Sequence, residues 1–200
     1  MAHRLFIGIR PPEPVRDALL DTMEALDGAR WIDQDNLHLT LRFVGEVERP
    51  AANDLAEALA RIDWPRFALC VAGVGAFDRS TRHGAWAHAL WARVPPSGEL
   101  EGLRHKVERA CESAGLGRET RKFTPHVTLA RLNRSAGAIG EWLAAWGDLA
   151  AGPWTVGEFI LFESHLGHTG AHYLEVVRYP LRAASPPPAS ERGDSGLPLP

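Results

Sequence analysis

Apolar residues recur along this chain with two periods, and the switching between them lays out the elements. Residues Arg4 to Ile9 (RLFIGI) form a short apolar run with β-branched members, which predicts a strand that Pro11-Pro12 terminates. From Glu13 to Leu26 the apolar positions Val15, Leu19, Leu20, Met23 and Leu26 fall at helical spacing. In LHLTLRF, Leu37, Leu39 and Leu41 alternate with His38, Thr40 and Arg42, the two-residue period of a strand running from His38 to Val44. Pro50 opens a second helix to about Ile62, in the first turn where its missing N–H is harmless. Strands follow at Phe67–Phe77 and Ala85–Val94, joined across the turn Arg79 to Gly84. A long helix over Gly98–Ala114 puts Leu100, Leu103, Val107, Ala110 and Cys111 on one side, and Gly115 and Gly117 end it. PHVTLAR predicts a further strand, Ala136–Trp146 a short helix, and WTVGEFILFES and HYLEVVRYPL two closing strands.

This order of elements predicts an α+β fold. Its two halves repeat one plan: a helix, a strand carrying His-x-Thr, a helix, then more strands. An internal duplication folded about a pseudo-twofold axis explains the repetition. From Ala183 the text changes to Pro, Ser, Gly, Ala and charge, too little apolar surface to offset the entropy of ordering. The expectation is one domain over residues 1–182 and a disordered tail over 183–200.

Composition narrows the function. Hydrophobic residues are 45% of the 200, enough for a single core, and the formal charge is −3. A broad basic face for nucleic acid is excluded; any such contact must be local. Cys70 and Cys111 lie in apolar surroundings without C-x-x-C spacing and read as free thiols in a reducing compartment. No run approaches the roughly 20 apolar residues of a membrane helix, and the N-terminal apolar run is too short for a signal peptide. The chain therefore reads as a soluble, cytoplasmic protein. It carries no phosphate-cradling Gly-x-x-x-x-Gly-Lys-Ser/Thr loop.

The chemistry lies in the repeated motif. On a strand His38 and Thr40 share one face, about 7 Å apart at about 3.3 Å per residue, and so do His126 and Thr128. The leucines and Val127 between them anchor the other face. If the halves pack about a twofold, two imidazoles and two hydroxyls converge across a cleft. Histidine titrates near neutral pH, so one ring can be neutral while its partner is charged. That equips the pair for general base and general acid catalysis. The hydroxyls can donate to phosphate oxygens as charge develops on them. The fitting chemistry is displacement at phosphorus without a metal or cofactor.

The same residues carry a resemblance. Two H-x-T-h motifs (h apolar), RLFIGIRPP at the start, RWIDQDNLHLTLRFVGEV and RKFTPHVTLARL around the motifs, and LFESHLGHTGAHYLEVVRYPL at the end resemble the two-histidine phosphoesterases. More narrowly, they resemble the LigT-like RNA 2′,3′-cyclic phosphodiesterases, historically called 2′-5′ RNA ligases. The resemblance spans about residues 3–182. It implies a bilobal α+β fold, with two mostly antiparallel sheets facing a central cleft and helices outside. It implies hydrolysis of an RNA 2′,3′-cyclic phosphate end to a 2′-phosphate. Carried onto this chain, His126 is the general base, His38 the general acid, and Thr40 and Thr128 bind phosphate oxygens. It also places Arg131 in the cleft. Strict alternation turns Arg131 away from His126 and Thr128 unless the strand bulges, and turns Arg42 toward the cleft in phase with His38. Phe43 and Trp31, flanking the first motif, are candidates to stack on a base.

The partner expected is RNA with a cyclic phosphate end or a cyclic nucleotide, with no membrane and the chain a monomer. Three alternatives stay open: 2′-5′ ligation by the reverse chemistry, phosphodiester cleavage of small cyclic phosphates, and a module that binds RNA without turnover. The histidines of HLGHTGAH (His165, His168, His172) are loosely spaced like metal ligands, but Gly-rich turns and a lack of nearby Cys or carboxylate partners read as a hairpin loop. Arg118, Arg121, Lys122, Arg131 and Arg134 cluster around the second motif and are candidates to steer an RNA end. The turn Arg79–His83 is a candidate to shape substrate access.

Overall fold

The computed structural model describes residues 2–183 apart from 25, 82–83, 135 and 168–169. The tail expected at 183–200 lies, beyond residue 183, outside the described residues, as do His83 and His168. The first half runs β1 (Ala2–Ile9), α1 (Glu13–Leu20), β2 (Ala29–Trp31), a 3₁₀ turn (Gln34–Asn36), β3 (Leu39–Glu48), α2 (Arg49–Ala60), β4 (Phe67–Ala72), β5 (Val74–Thr81) and β6 (Gly84–Arg93). The second runs α3 (Gly98–Ser113), β7 (His126–Leu132), α4 (Gly140–Ala145), β8 (Ala150–Val156), β9 (Glu158–Gly167) and β10 (Gly170–Pro180).

Three elements depart from the sequence pattern for visible reasons. The first helix stops at Leu20, six residues before Leu26. There the Thr22 hydroxyl donates to the Leu19 carbonyl at 2.7 Å, and the Trp142 indole N–H donates to the Thr22 carbonyl at 2.8 Å, so local and distant donors replace the next helical turn. The expected strand Phe67–Phe77 is two strands that part at Gly73, whose φ of 84° needs a residue without a Cβ. WTVGEFILFES likewise divides at Gly157 into β8 and β9. Within α3, Gly102 admits the Trp64 ring: a Cβ there would meet it at 2.4 Å.

The main sheet has the order β10-β9-β1-β3-β7-β6-β5, antiparallel throughout, with β2 also pairing β7; β4 and β8 form a separate two-stranded ribbon. One lobe holds β10, β9, β1 and β3; the other holds β7, β6, β5 and β2. The lobes' strands are continuous through a single register pair, Leu39 with Val127. The duplication is visible as an exchange. The hairpin β5–β6 that follows the first motif pairs with the second motif strand, and β9–β10, which follows the second, lies in the lobe of the first. Leu39, Leu41, Val127 and Leu129 enter one apolar core with Leu55 and Leu59 of α2 and Leu100, Leu103 and Val107 of α3. This burial fixes which face each motif strand shows to the other side.

Candidate active site

The Leu39–Val127 pair sets the site. In an antiparallel register the residues flanking that pair put His38 beside Thr128 and Thr40 beside His126, all on the face away from the core. Thr40 and His126 line one small pocket, about 150 Å³, together with Phe43, Thr124, Phe123 and Arg121.

Both imidazoles are held the same way. His38 Nδ1 lies 2.6 Å from the Asn36 carbonyl oxygen and His126 Nδ1 lies 2.6 Å from the Thr124 carbonyl oxygen. A carbonyl can only accept, so Nδ1 carries the hydrogen and donates in each ring. Nε2 is left with its lone pair for other chemistry. Asn36 is itself buried and pinned: its amide donates to the Ala171 carbonyl (2.9 Å) and its oxygen accepts from Tyr173 N (3.3 Å). Aromatic rings wall both histidines. Phe6 (4.7 Å between centroids), Tyr173 (5.1 Å) and Phe162 (5.9 Å) surround His38; Phe77 (4.8 Å) and Trp91 (6.0 Å) flank His126.

Burial in these walls favours the neutral rings. It pushes His38 down to about 4, with the nearby positive charges of His126, Arg10 and Arg131 adding and the Asn36 carbonyl opposing. It lowers His126 too, with Arg131 adding and the Thr124 carbonyl opposing. Arg131 thus acts on both histidines.

Its position follows from a bulge. The β6–β7 register passes from Trp91–Thr128 to Leu90–Ala130, so Leu129 is the extra residue and Arg131 turns to the face of His126 and Thr128. Both Leu129 and Ala130 are buried, and Arg131 is exposed. The first motif does the same. The β1–β3 register passes from Gly8–Thr40 to Ile7–Arg42 and skips Leu41.

That bulge corrects the expectation for Arg42. Instead of staying in phase with His38, its guanidinium turns inward and is 9% exposed. It pairs with Glu108 (3.0 Å) and Glu119 (3.6 Å) and donates to the carbonyls of Phe43 and Gly117. Arg42 is a buried, carboxylate-paired anchor at the edge of the pocket of Thr40 and His126. Phe43 takes the cleft side in its place, 48% exposed and 6.1 Å from Phe6. Arg121 sits 5.8 Å from the Phe43 ring, held by two hydrogen bonds to Glu119 at 3.1 and 2.7 Å. Those bonds hold the Glu119 carboxyl down at about 2.

Other candidates separate out. Trp31 packs near Trp142 (6.0 Å) and donates to the Glu24 carbonyl, on the far side of β2. Arg118 pairs with Glu112 (3.8 Å) and Arg134 stacks on Trp86 (4.6 Å). His165 and His172 are register partners, and Glu163 lies between His3 (2.8 Å) and His165 (3.5 Å), so a carboxylate does sit by the histidine hairpin. No group of three or more His, Cys, Asp or Glu residues among the described residues is arranged to hold a metal ion. Cys111 is buried and its thiol is pushed up to about 11 by burial. Among the described residues no helix is long and apolar enough to cross a membrane. Sequence reasoning missed Arg30, which pairs in register with Arg131, and Arg10, whose charge reaches His38. Pairing between β2 and β7 has no sequence signal in a three-residue strand, and Arg10 lies just past the end of β1.

Paired His-x-Thr strands on a duplicated antiparallel scaffold define a two-histidine phosphoesterase. The chain belongs to the 2′-5′ RNA ligase superfamily, whose family model matches residues 11–168. It is similar to an RNA 2′,3′-cyclic phosphodiesterase of Aeropyrum pernix, 38% identical over 159 residues (78% of this chain, 87% of that protein). It is similar to one of Escherichia coli K12, 30% identical over 182 residues (90% and 97%). Among solved structures it resembles E. coli LigT complexed with 3′-AMP, with a TM-score of 0.71 at 25% identity, covering 90% of this chain and 99% of that one. It also resembles TT0787 of Thermus thermophilus, with a TM-score of 0.69 at 28% identity (91% and 100%).

Proposed function

We propose that this chain hydrolyses 2′,3′-cyclic phosphate ends of RNA to 2′-phosphates, without a metal. The observation that carries the reading is the matched pair of histidines, each with Nδ1–H given to a backbone carbonyl and Nε2 free. His126 Nε2 takes a proton from water as the water oxygen bonds to phosphorus. The bond from phosphorus to the 3′ oxygen breaks, and His38 Nε2–H gives its proton to that oxygen. The products are a 2′-phosphomonoester and a free 3′-hydroxyl. Thr40 and Thr128 donate to the non-bridging oxygens, and Arg131 balances their charge. Phe43 offers a face to the base.

The acid must be charged, and burial disfavours that. The phosphate anion of a bound substrate supplies the opposite charge that restores it. The division of roles between the two histidines follows the family resemblance.

The same reading makes the chain a cytoplasmic monomer with one working domain over residues 1–182, so a chain cut after Arg182 keeps its activity. The test is hydrolysis of a short RNA ending in 2′,3′-cyclic phosphate, in EDTA, with the phosphate position of the product read by ³¹P NMR. Turnover to the 2′-phosphate supports the reading. An inert protein, or turnover that stops in EDTA and returns with a divalent ion, overturns it.

A further inference from the structure

Away from the paired histidines, a cavity of about 650 Å³ opens at the junction of β1 and α1. Four arginines line it: Arg10, Arg16, Arg66 and Arg178. In a chain of formal charge −3, four cations on one pocket are a local concentration that composition does not require. Two are compensated. Glu175 pairs with Arg10 (3.2 Å) and Arg178 (2.5 Å), and Glu158 pairs with Arg178 (2.8 Å). The other two have no carboxylate partner among the described residues. One Nη of Arg16 donates to the Pro11 carbonyl (2.9 Å), and Nε of Arg66 to the Leu181 carbonyl (3.3 Å). Those carbonyls fix the guanidinium groups without neutralising them. Nε of Arg10 and of Arg16 are buried without a hydrogen-bond partner.

One lining arginine of the pocket also lies close to the wall of His38. Arg10 lies 5.7 Å from the Phe162 ring, and Phe162 stacks on Phe6 (4.8 Å), the ring against His38. Arg10 therefore stands two rings from His38, with Phe162 and Phe6 between them.

We propose that this pocket is a second anion site, which takes about two backbone phosphodiesters of the RNA strand upstream of its cyclic end. The two uncompensated cations, Arg16 and Arg66, match two monoanionic phosphodiesters in charge. This rests on the RNA phosphodiesterase reading. The arginines position the strand and do not touch the reacting atoms.

The test compares a five-nucleotide RNA ending in 2′,3′-cyclic phosphate with a 2′,3′-cyclic mononucleotide, which has no upstream phosphates. Wild type, R16Q/R66Q and the charge-keeping R16K/R66K are measured over a range of salt. The expected result is a roughly tenfold rise in the oligonucleotide KM for R16Q/R66Q, with kcat and all mononucleotide kinetics unchanged. The slope of log KM against log salt should fall by about 1.4, at about 0.7 for each phosphate of a single strand that the protein no longer neutralises, and R16K/R66K should keep it. An unchanged oligonucleotide KM, or equal losses on both substrates, overturns the site.

If wild type turns over neither substrate, the phosphodiesterase reading fails on its own. Binding of a labelled RNA with a plain end, followed by anisotropy, then decides: weaker binding by R16Q/R66Q supports the site and equal binding overturns it. Inorganic tripolyphosphate is the control for a free polyanion. If R16Q/R66Q loses tripolyphosphate binding while RNA binding is unaltered, the RNA assignment is overturned.

Discussion

The two motif strands are copies in backbone and differ in what they present. From His38 to Phe43 and from His126 to Arg131 the burial sequence is the same: half-buried, buried, half-buried, buried, buried, exposed. Both histidines give Nδ1–H to the carbonyl two residues back, and both strands bulge at the leucine three residues on. Past the bulge the copies diverge. The first has Arg42 inside and Phe43 in the cleft; the second has Ala130 inside and Arg131 in the cleft. The walls differ too, three aromatic rings around His38 and two around His126. The repeat holds the two imidazoles in a symmetric frame. One lobe presents an aromatic ring where the other presents a guanidinium. A cyclic phosphate on a nucleoside is an asymmetric ligand, so the proposed reading makes the two positions separable by substitution.

The largest test of the symmetry is loss of either ring. His38→Ala and His126→Ala should each lose about 10²–10⁴ in kcat on the cyclic-phosphate RNA, as expected for one acid-base group. The double variant should lose much less than the product of the two, because the carriers act as a unit. A variant that keeps wild-type kcat would break the pairing. Next come the hydroxyls: Thr40→Val and Thr128→Val should each lower kcat by about 10², the scale of one donor to a developing oxyanion, with KM little changed.

Arg42→Ala makes the first motif match the second at that position. It should destabilise the protein by about 3–5 kcal/mol in denaturant unfolding, because Glu108 and Glu119 lose their buried partner. If stability holds while kcat alone falls, Arg42 belongs to the chemistry after all.

The fifth residue after each histidine separates the lobes. Phe43→Ala should raise KM by roughly 5- to 150-fold for base-bearing substrates, the worth of one stacked base, roughly 1–3 kcal/mol. Arg131→Gln should instead lower kcat and move the acid limb of the kcat/KM profile to higher pH, since Arg131 depresses both histidines. Identical responses to the two substitutions would erase the distinction.

The smallest effect concerns acid stability. With His38 held near 4 in the folded protein, the unfolded chain takes up the proton first. Stability is therefore full above pH 6.5 and declines as the pH falls from 6.5 to about 4. His126 adds to the decline in the same direction. His38→Gln should flatten the dependence in that window, read from unfolding midpoints at pH 7 and pH 4.5; an unchanged slope would mean His38 is not held neutral.

Much of this was legible beforehand. Alternation placed His38 with Thr40 and His126 with Thr128, because two residues on a strand share a face whatever the partner strand does. Helical spacing placed α2 and α3. The misreadings have separate causes. Phe67–Phe77 looked like one strand because its apolar content is continuous, while Gly73 turns the backbone. The first helix looked longer because Trp142, 120 residues away, ends it. Arg42 looked cleft-facing because period two assumes no bulge.

The sequence by itself determined the repeat, the shared face of each His-Thr pair and the α+β order, since these depend on side-chain type and local period. Only the tertiary structure decided which arginine shares the face of the motif histidines, that Phe43 faces the cleft, and that Arg10 and Arg30 stand near it. A bulge is set by the hydrogen bonds of the neighbouring strand, here β1 for β3 and β6 for β7. Those neighbours are distant in sequence, so no local pattern carries the phase of the residues beyond the bulge.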